Sequence, residues 1–393
     1  MFYFLLPVQV LTCLLTINIE GKNLKKQFMR FKTNLDLWLI IIVIALTGIG
    51  IMMVFSSSFL LAQKKFQDPY FFLKHQLFYT IISFCLMTVL AKHIPYQFYQ
   101  RFSHIILLLA IIGLILVLLP GLKREVNNAS RWIRLGPFSF QPSEFTKLAF
   151  IIYLSALISR EEKIKQFSIG VLPVFITLCL LAILLIAEPD MGSVILLSIL
   201  TFIMLFLGGT KILHLLIITC PTLAAIIYLL IESPYRIKRL LAYLHPERDP
   251  LGVGYVILHS KLAFASGGIL GQGLGASRQK LFYLPEPYTD YIFSIIGEEM
   301  GFIGVIVVIL IFAMLFWRGI EIARGARDLF GFYLAIGITL WLSIQALIHM
   351  GVCLGLLPPK GITLPFISYG GSSLLINYMA IGILQNIYTQ GHR

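Results

Sequence analysis

The segment LFYLPEPYTDYIFSIIGEEMG, residues 281–301, joins a proline-bracketed polar loop to an apolar run that continues almost unbroken to Phe316. Asp290 lies at the point where the polar part ends. A helix that begins near Asp290 would place Glu298 and Glu299 about 12–13 Å deeper, and acidic side chains at membrane depth usually face a cavity or a partner. Two interpretations of Asp290 are open at this stage: a helix cap, which suits the positive end of the helix dipole, or a functional carboxylate.

The composition is that of a membrane protein. Of the 393 residues, 58% are hydrophobic and 12% are charged, and the mean hydropathy is +0.89, whereas soluble domains carry about 25% charged residues. The net charge of +13 favours anionic lipid surfaces or anionic lipid-linked substrates as partners. Nucleic acid is a poor candidate because the basic residues are scattered among the apolar runs. The five cysteines show no metal-ligand spacing and are interpreted as core residues without disulfides.

Ten apolar windows are long enough to cross a membrane, which takes about 17–25 residues each. They lie near residues 36–57, 71–91, 103–120, 143–158, 168–187, 191–208, 211–231, 291–317, 331–353 and 373–389. The sequence therefore predicts an all-α polytopic membrane protein with ten transmembrane helices. A large extracytoplasmic loop, residues 232–290, is predicted between the seventh and eighth helices.

The predicted membrane domain covers residues 36–390, and residues 1–35 form an N-terminal cytoplasmic extension. The apolar stretch Met1–Ile17 has no basic n-region before it and no small-residue cleavage site, so a cleaved signal peptide is not expected. Met29 lies within the basic segment Lys22–Lys32. One hypothesis is that synthesis starts at Met29 and that residues 1–28 are not native.

The connectors between the windows are of two kinds. Short, plain polar connectors occur at 92–101, 159–166, 208–211 and 318–328. Connectors rich in Pro, Gly, Trp and Tyr occur at 121–142, 188–190, 232–290 and 354–372. If the plain connectors are cytoplasmic, both termini are cytoplasmic and all the patterned loops share the outer face. The Lys and Arg count is then 15 inside and 16 outside, but seven of the 16 lie in the long loop, where the positive-inside rule has least force.

Polar residues enter an apolar window in the segment NNASRWIRLGPFSFQPSEFTK, residues 127–147. Glu144 and Lys147 are three residues apart, so a helical ion pair is possible. The alternative is an interfacial loop in which Trp132 is a headgroup anchor and Ser143 caps the next helix. That alternative does not explain Lys147, which lies one turn into the helix.

Two further motifs have both a structural and a functional interpretation. The segment EPDMGS, residues 188–193, fits a tight turn in which Asp190 caps the following helix, or a functional pair of carboxylates. The segment 235–261 fits an amphipathic helix on the membrane surface. Alternatively, Arg236 and Arg239 within it form a cradle for a pyrophosphate, since Arg side chains suit phosphate oxygens.

Two glycine-containing loops remain. Gly267–Gly275 resembles a nucleotide-binding loop only superficially, because no strand precedes it and no Lys-Ser/Thr follows it in register. It is interpreted as a flexible, close-packed outer loop. The last loop, residues 357–373, contains three prolines and Gly370-Gly371. Such non-helical backbone at membrane depth is tolerated where it lines a wet cavity, and Lys360 is its only cation.

Taken together and in order, these strings resemble the SEDS family (shape, elongation, division and sporulation proteins), and within it the division-type members most. The resemblance covers about residues 36–390. The residues that carry it are Ser130-Arg131-Trp132-Ile133, Gln141-Pro142-Ser143-Glu144 with Lys147, Pro189-Asp190, Pro234-Tyr235-Arg236, Asp249-Pro250, Gly273-Leu274-Gly275, Leu284-Pro285-Glu286, Thr289-Asp290, Gly297-Glu298-Glu299, Lys360-Gly361 and Ser368-Tyr369-Gly370-Gly371-Ser372. The chain departs from the family pattern at Pro287-Tyr288, where a His is usual, and at Val256, where a Gln is usual.

The resemblance implies a ten-helix bundle that polymerises lipid II, the undecaprenyl-diphosphate-linked disaccharide-pentapeptide, into glycan strands during septal cell-wall synthesis. It places the essential acid at Asp290 and the Arg-Trp loop at Arg131 and Trp132. The implied partners are a class B penicillin-binding protein and other division proteins. The implied location is the bacterial inner membrane at the septum, with the active site outside the cytoplasm.

Glycosyl transfer from a lipid diphosphate requires a base for the acceptor hydroxyl and positive charge for the departing diphosphate. Asp290 is the candidate base. The candidate substrate-binding residues are Arg131, Trp132, Glu144, Lys147, Asp190, Arg236, Arg239, Lys280, Glu286, Lys360, Ser368 and Tyr369. A divalent cation, Mg²⁺ or Mn²⁺, could assist, although no ligand cluster in the sequence specifies one. The alternatives are a lipid II flippase, an elongation-type polymerase of the same family, and a non-catalytic scaffold.

Overall fold

The computed structural model describes residues 35–119, 123–126, 129–135, 138–160, 164–232, 237, 241–248 and 252–391. Residues 1–34, which make up nearly all of the predicted N-terminal extension, lie outside the described residues, as do Arg236 and Arg239. The α-helices are α1 (Leu37–Phe66), α2 (Phe71–His93), α3 (Tyr96–Arg101), α4 (Ser103–Leu118), α5 (Pro142–Ile158), α6 (Leu172–Ala187), α7 (Met191–Leu207), α8 (Ile212–Glu232), α9 (Val253–Gly267), α10 (Ile292–Arg324), α11 (Leu329–Cys353) and α12 (Gly371–Gly391). A π-helical turn, Phe167–Val171, leads into α6, and a 3-10 turn spans Pro246–Arg248.

Each of the ten predicted apolar windows coincides with a helix. Among the described residues, five helical segments are long and apolar enough to cross a membrane: Leu37–Phe66, Phe71–His93, Phe167–Ala187, Ile292–Arg324 and Leu329–Cys353. Ser103–Leu118 and Met191–Leu207 are shorter apolar helices. The prediction of a mostly helical membrane protein is confirmed. Neither α3 nor α9 is predicted, and α9 lies within the predicted long loop.

The all-α prediction is wrong for one connector, which forms a three-stranded antiparallel sheet. Its strands are β1 (Lys123–Val126), β2 (Ala129–Leu135) and β3 (Phe138–Phe140), in the order β1-β2-β3. Ile133 of β2 pairs with Lys123 on one side and with Phe140 on the other. The hydroxyl of Ser372 at the start of α12 accepts from the amide of Gln141 (3.1 Å) and donates to the carbonyl of Ser139 (3.1 Å). Strand pairing supplies hydrogen-bond partners for the backbone of this connector. The two bonds to Ser372 hold the end of the connector against α12.

The main core lies where α1, α2, α10, α11 and α12 meet, and Trp341 of α11 is fully buried in it. Close crossing of α2 and α12 depends on two small residues, as at many helix interfaces in membranes. Gly371 lies against the ring of Tyr79, and a Cβ atom at Gly382 would be 2.9 Å from the carbonyl oxygen of Met87.

Helix α10 is broken at Gly301, which has φ 64° and ψ −164°. A break of this kind leaves carbonyls before it and amides after it without partners inside the helix. The segment 268–273, which follows α9, forms hydrogen bonds with two carbonyls before the break and two amides after it. The bonds are Gln272 N to Glu298 O (2.9 Å), Gly273 N to Glu299 O (3.1 Å), Phe302 N to Gly268 O (2.9 Å) and Ile303 N to Ile269 O (3.2 Å).

This insertion explains the glycine-rich segment Gly267–Gly275. A Cβ atom at Gly271 would overlap the carbonyl oxygen of Glu299, and one at Gly267 would overlap that of Gly297. The glycines therefore permit backbone-to-backbone contact with α10. The interpretation as a close-packed loop is confirmed.

The side chains of Glu298 and Glu299 bind the chain that returns from the insertion. Glu299 forms an ion pair with Lys280 (2.8 Å) and accepts from the hydroxyl of Ser56 in α1 (2.7 and 2.8 Å). Glu298 accepts from the hydroxyl of Ser277 and from the amide of Arg278 (2.9 Å). The sequence predicts that these acidic groups face either a cavity or a partner. The structure shows that Glu298 and Glu299 each have partners.

Substitution of Gly271 tests the insertion, because Gly275 offers a matched control. Both residues have nearly the same positive φ, 84° and 83°, so the backbone strain of an alanine is shared. A Cβ atom at Gly275 meets nothing within 4 Å, whereas one at Gly271 overlaps α10. We expect Gly271→Ala to lower the free energy of unfolding by about 1–3 kcal/mol more than Gly275→Ala, measured by thermal unfolding in detergent micelles. Equal losses would contradict the insertion.

Candidate functional site

Two loops that are far apart in sequence enclose a cavity of about 180 Å³ beside Asp290. Its lining is Val256, Pro285, Glu286, Asp290, Tyr291, Pro359, Lys360 and Gly361. The predicted residues Asp290, Glu286 and Lys360 therefore meet in one place. The last loop lines a cavity, as its sequence predicts.

Asp290 lies in a tight turn just before α10. The carbonyl of Glu286, whose φ is 47°, accepts from the amides of Thr289 and Asp290, both at 3.2 Å. Helix α10 begins at Ile292 and its N-cap position is Tyr291. The interpretation of Asp290 as the helix cap is therefore wrong, since Asp290 precedes that position. Its carboxylate lies against Gly361, where a Cβ atom would be 3.1 Å from Oδ2.

The predicted residues Ser368 and Tyr369 hold the Asp290 segment through its backbone. The hydroxyl of Ser368 donates to the carbonyl of Thr289 (2.7 Å) and accepts from the amide of Leu364 (2.9 Å). The amide of Tyr369 donates to the carbonyl of Tyr288 (2.9 Å). Both residues thus fix the position of the carboxylate and are not part of the cavity lining.

A second set of bonds supports Asp290 from behind, and sequence reasoning missed it. Ser260 of α9 shares a hydroxyl hydrogen bond with Ser294 of α10 (2.7 Å) and donates to the carbonyl of Cys353 (2.6 Å). The thiol of Cys353 donates to the carbonyl of Asp290 (3.6 Å). Small polar residues inside apolar helices were the available signal, because such groups bond across helices in membranes.

A second, smaller cavity of about 30 Å³ lies next to the first, and Gly361 lines both. It contains the predicted residues Glu144, Lys147 and Asp190. The predicted ion pair is confirmed, with Lys147 Nζ 2.8 Å from Glu144 Oε1 and both side chains buried. Lys147 also donates to Gln345 (3.0 Å) and lies over the ring of Trp341.

Helix α5, which carries this pair, does not have the N-cap residue that the interfacial-loop alternative predicts. Helix α5 has Pro142 at its first position and Gln141 at its N-cap. Ser143 therefore lies inside the first turn and is not the cap. Pro is well suited to this place, because its missing amide would be unpaired there in any case.

Asp190 forms the predicted helix cap and also lines a cavity. It caps α7 by accepting from the amide (3.2 Å) and the hydroxyl (2.8 Å) of Ser193, and it lines the second cavity. Arg131 of β2 fixes the turn before it by donating to the carbonyls of Glu188 (3.1 Å) and Pro189. Trp132 lies beside Arg131 in β2, half-buried. The sheet is thus bonded to the turn that carries Asp190.

Burial shifts two charged groups in these loops. Burial, reinforced by the charge of Asp190, raises the pKa of Glu188 to about 8, although Arg131 opposes the shift. Burial lowers the pKa of Lys360 to about 8, and the charge of Asp190 opposes that shift. Lys360 therefore lines the first cavity, while its pKa is influenced by the charge of Asp190, which lines the second cavity.

The remaining predictions fall elsewhere. Lys280 belongs to the Glu299 cluster, where it also donates to Ser56 (3.0 Å) and to the carbonyl of Gly275 (2.7 Å). Arg236 and Arg239 lie outside the described residues. Among the residues that the structure describes, no group of three or more His, Cys, Asp and Glu side chains is placed to hold a metal ion.

Comparison with protein families and with known proteins gives consistent results. The model of the FtsW/RodA/SpoVE family, described as cell cycle protein, matches residues 37–393. A protein from Trichlorobacter lovleyi named probable peptidoglycan glycosyltransferase FtsW is 48% identical over 353 residues, covering 90% of this chain and 92% of the relative. Stage V sporulation protein E of Bacillus subtilis is 43% identical over 357 residues, covering 91% and 97%.

Solved structures of the same fold also match. A chain from a peptidoglycan synthase complex, described as coordinating polymerization and crosslinking, superimposes with a TM-score of 0.74 at 25% identity. The rod shape determining protein RodA of Thermus thermophilus superimposes with a TM-score of 0.67 at 22% identity. Each comparison covers 92% of this chain and 99% of the other. The second shows the fold alone.

The buried Glu144–Lys147 pair can be tested through stability. Lys147→Met leaves the Glu144 carboxylate buried without its cation, which typically costs about 3–5 kcal/mol. The double variant Glu144→Gln/Lys147→Met carries no charge, so we expect it to be more stable than Lys147→Met. Thermal unfolding in detergent micelles measures both. A double variant no more stable than the single one would show that the pair does not determine the cost.

Proposed function

Because the chain belongs to the FtsW/RodA/SpoVE family of cell cycle proteins, we propose that it is a peptidoglycan glycosyltransferase that polymerises lipid II into glycan strands during septal cell-wall synthesis. The observation that carries the proposal is the cavity lined by both Asp290 and Lys360, whose side chains end in a carboxylate and an ammonium group. A base and a cation at one cavity are what transfer from a lipid diphosphate requires.

In the proposed reaction, Asp290 removes the proton from the 4-hydroxyl of the acceptor sugar. The oxygen attacks the anomeric carbon of the donor and forms the new glycosidic bond. The bond from that carbon to the diphosphate oxygen breaks, and undecaprenyl diphosphate leaves with the electron pair. Lys360 stabilises the negative charge on the leaving group, since an ammonium is a strong phosphate partner.

The contacts of the other cations favour Lys360 for this task. Lys147 and Lys280 are engaged by Glu144 and Glu299 at 2.8 Å each, and Arg131 is bonded to backbone carbonyls. A cation already paired with a buried carboxylate has little charge left for a diphosphate. Of the four predicted substrate-binding cations that the structure describes, Arg131, Lys147, Lys280 and Lys360, only Lys360 lines the Asp290 cavity.

A divalent cation, Mg²⁺ or Mn²⁺, stays part of the proposal. Asp290 and Glu286 line the same cavity, and Mg²⁺ is commonly held by one or two carboxylates together with substrate phosphates. Such an ion would neutralise charge on the diphosphate, and these two side chains are the ones that would hold it.

We place all ten predicted helices across the bacterial inner membrane, with both termini in the cytoplasm and the Asp290 cavity outside. On the proposed inner side, Lys92, Arg101, Arg160, Lys165, Lys211, Arg324 and Arg327 lie at or beside helix ends. The overall count of Lys and Arg shows no bias between the two sides, so the orientation rests on placing the connectors rich in Pro, Gly, Trp and Tyr together on the outer face. A class B penicillin-binding protein and other division proteins are the proposed partners. The solved relative that belongs to a peptidoglycan synthase complex supports such a partner.

One feature favours the alternative of a lipid II flippase. Transporters often bind substrates at broken helices, and α10 is broken at Gly301. Here, however, segment 268–273 satisfies the exposed backbone groups, so the break does not offer them to a substrate. The bonded state of the break therefore favours the polymerase over the flippase.

Asp290→Asn is the direct test of the proposed base. The variant keeps the shape of the side chain, and we expect polymer formation to fall by about 10²–10⁴-fold, the usual contribution of a general base. The assay is polymerisation of lipid II by the purified protein with its partner, in the presence of moenomycin to block the other class of glycan polymerase. Asp68→Asn, at an exposed loop carboxylate, is the matched control. Wild-type rates for Asp290→Asn would refute the assignment.

The pKa of Lys360 predicts the pH dependence of substrate binding. Lys360 is charged below about pH 8 and loses its charge as the pH rises through that value. We therefore expect the KM for lipid II to rise between pH 7 and pH 9. In Lys360→Arg, the guanidinium stays protonated throughout, so this rise should disappear. The same pH profile in both proteins would exclude Lys360 as the titrating group.

A further inference from the structure

The second cavity contains one buried oxygen without a partner. Glu144 is 5% exposed, and its Oε1 binds Lys147. Its Oε2 is buried and accepts no hydrogen bond from the residues that the structure describes. A buried carboxylate oxygen left in this state is costly, so a hydrogen-bond donor is expected opposite it.

The size and charge of the cavity restrict what this donor can be. A volume of about 30 Å³ holds one water molecule or one functional group of that size, which excludes a diphosphate. The other polar groups of the lining include Asp190, Ser193 and Thr363. Lys147 donates to Glu144 and Gln345, so its charge is already paired with a carboxylate. With two carboxylates in the lining, Glu144 and Asp190, the cavity disfavours an anion and favours an uncharged group.

Gly361 lies at the boundary between this cavity and the Asp290 cavity. It lines both, and a Cβ atom there would be 3.1 Å from Asp290 Oδ2. A side chain at this position would therefore press on the boundary between the two cavities. Because the cavities are adjacent, one bound molecule can place a reacting sugar at Asp290 and a neighbouring group at Glu144.

We infer that Glu144 Oε2 binds an uncharged hydrogen-bond donor, a hydroxyl or an acetamido N–H, on the disaccharide of the lipid-linked substrate. The inference rests on the proposed function. It assigns the second cavity to the sugar part of the substrate and leaves the diphosphate to Lys360. The carbohydrate group displaces a water molecule that occupies the cavity in the free protein.

The test compares the affinities of three ligands for protein that carries Asp290→Asn, which prevents turnover. The ligands are undecaprenyl diphosphate, the same lipid with the disaccharide but no peptide, and lipid II. We expect an added Glu144→Gln to weaken binding of both sugar-bearing lipids by about 10- to 100-fold, because an amide N–H then faces the donor. Binding of undecaprenyl diphosphate should stay within twofold. Glu321→Gln, the same change at an exposed cytoplasmic carboxylate, is the control.

Other outcomes have distinct meanings. An equal loss of affinity for all three lipids would overturn the inference. No loss of affinity for any of them would also overturn it and would leave only a structural water in the cavity. Loss confined to lipid II would overturn it too and would point to the peptide. If the parent Asp290→Asn protein binds none of the lipids, the proposed function itself fails.

A second variant keeps the test valid if Glu144→Gln does not fold, as thermal unfolding would show. Gly361→Ala adds a methyl group at the boundary between the two cavities and leaves the Glu144–Lys147 pair intact. We expect it to weaken the two sugar-bearing lipids selectively. Gly370→Ala in the same loop is its control, because a Cβ atom there meets ordinary contacts at 3.7 and 3.9 Å. Equal affinities for Gly361→Ala and Gly370→Ala would overturn the inference.

Discussion

The break in α10 at Gly301 and the segment inserted into it determine how the part of the protein around Asp290 is arranged. Four backbone hydrogen bonds join the insertion to α10 on both sides of the break, so the insertion lowers the cost of backbone groups that the broken helix leaves unpaired. The carboxylates of Glu298 and Glu299 then bind residues 277–280 as these leave the insertion. Ten residues later the same chain reaches Asp290. Helix α10, the insertion and the turn that carries Asp290 are therefore one connected unit.

The lysines near the Asp290 cavity and the α10 break divide into two groups. Lys147 and Lys280 are buried against carboxylates, which makes each pair nearly neutral. Such pairs contribute little net stability but are costly to break, and they fix helix positions. Lys360 is different, because burial disfavours its charge. A group held in that state gains most from an anionic ligand, which is why the proposed function assigns the diphosphate to Lys360.

Local patterns in the sequence predicted local features well. The ten apolar windows needed only composition over about twenty residues, and the Glu144–Lys147 pair needed only helical spacing. The cap formed by Asp190 is equally local. The pairing of Lys280 with Glu299 was not predictable, because it depends on a helix break that forms only when residues 268–273 pack into it. The sheet at 123–140 was missed because its strands are short and lie between helices, and the position of Asp290 relative to α10 was missed by one residue. The position of Gly361 between the two cavities depends on how the loops pack together, and no periodic pattern in the sequence indicates it.

The way in which Ser368 and Tyr369 hold the Asp290 segment has an evolutionary consequence. Both bonds go to the backbone carbonyls of Thr289 and Tyr288, which every amino acid possesses. These two bonds therefore do not depend on the side chains of residues 288 and 289. This accounts for a chain that carries Pro287-Tyr288 where its family usually has a histidine and still presents the carboxylate to the cavity. On the opposite loop, Ser368 carries the constraint because its hydroxyl makes one bond, whereas residue 369 uses a backbone amide that only proline lacks.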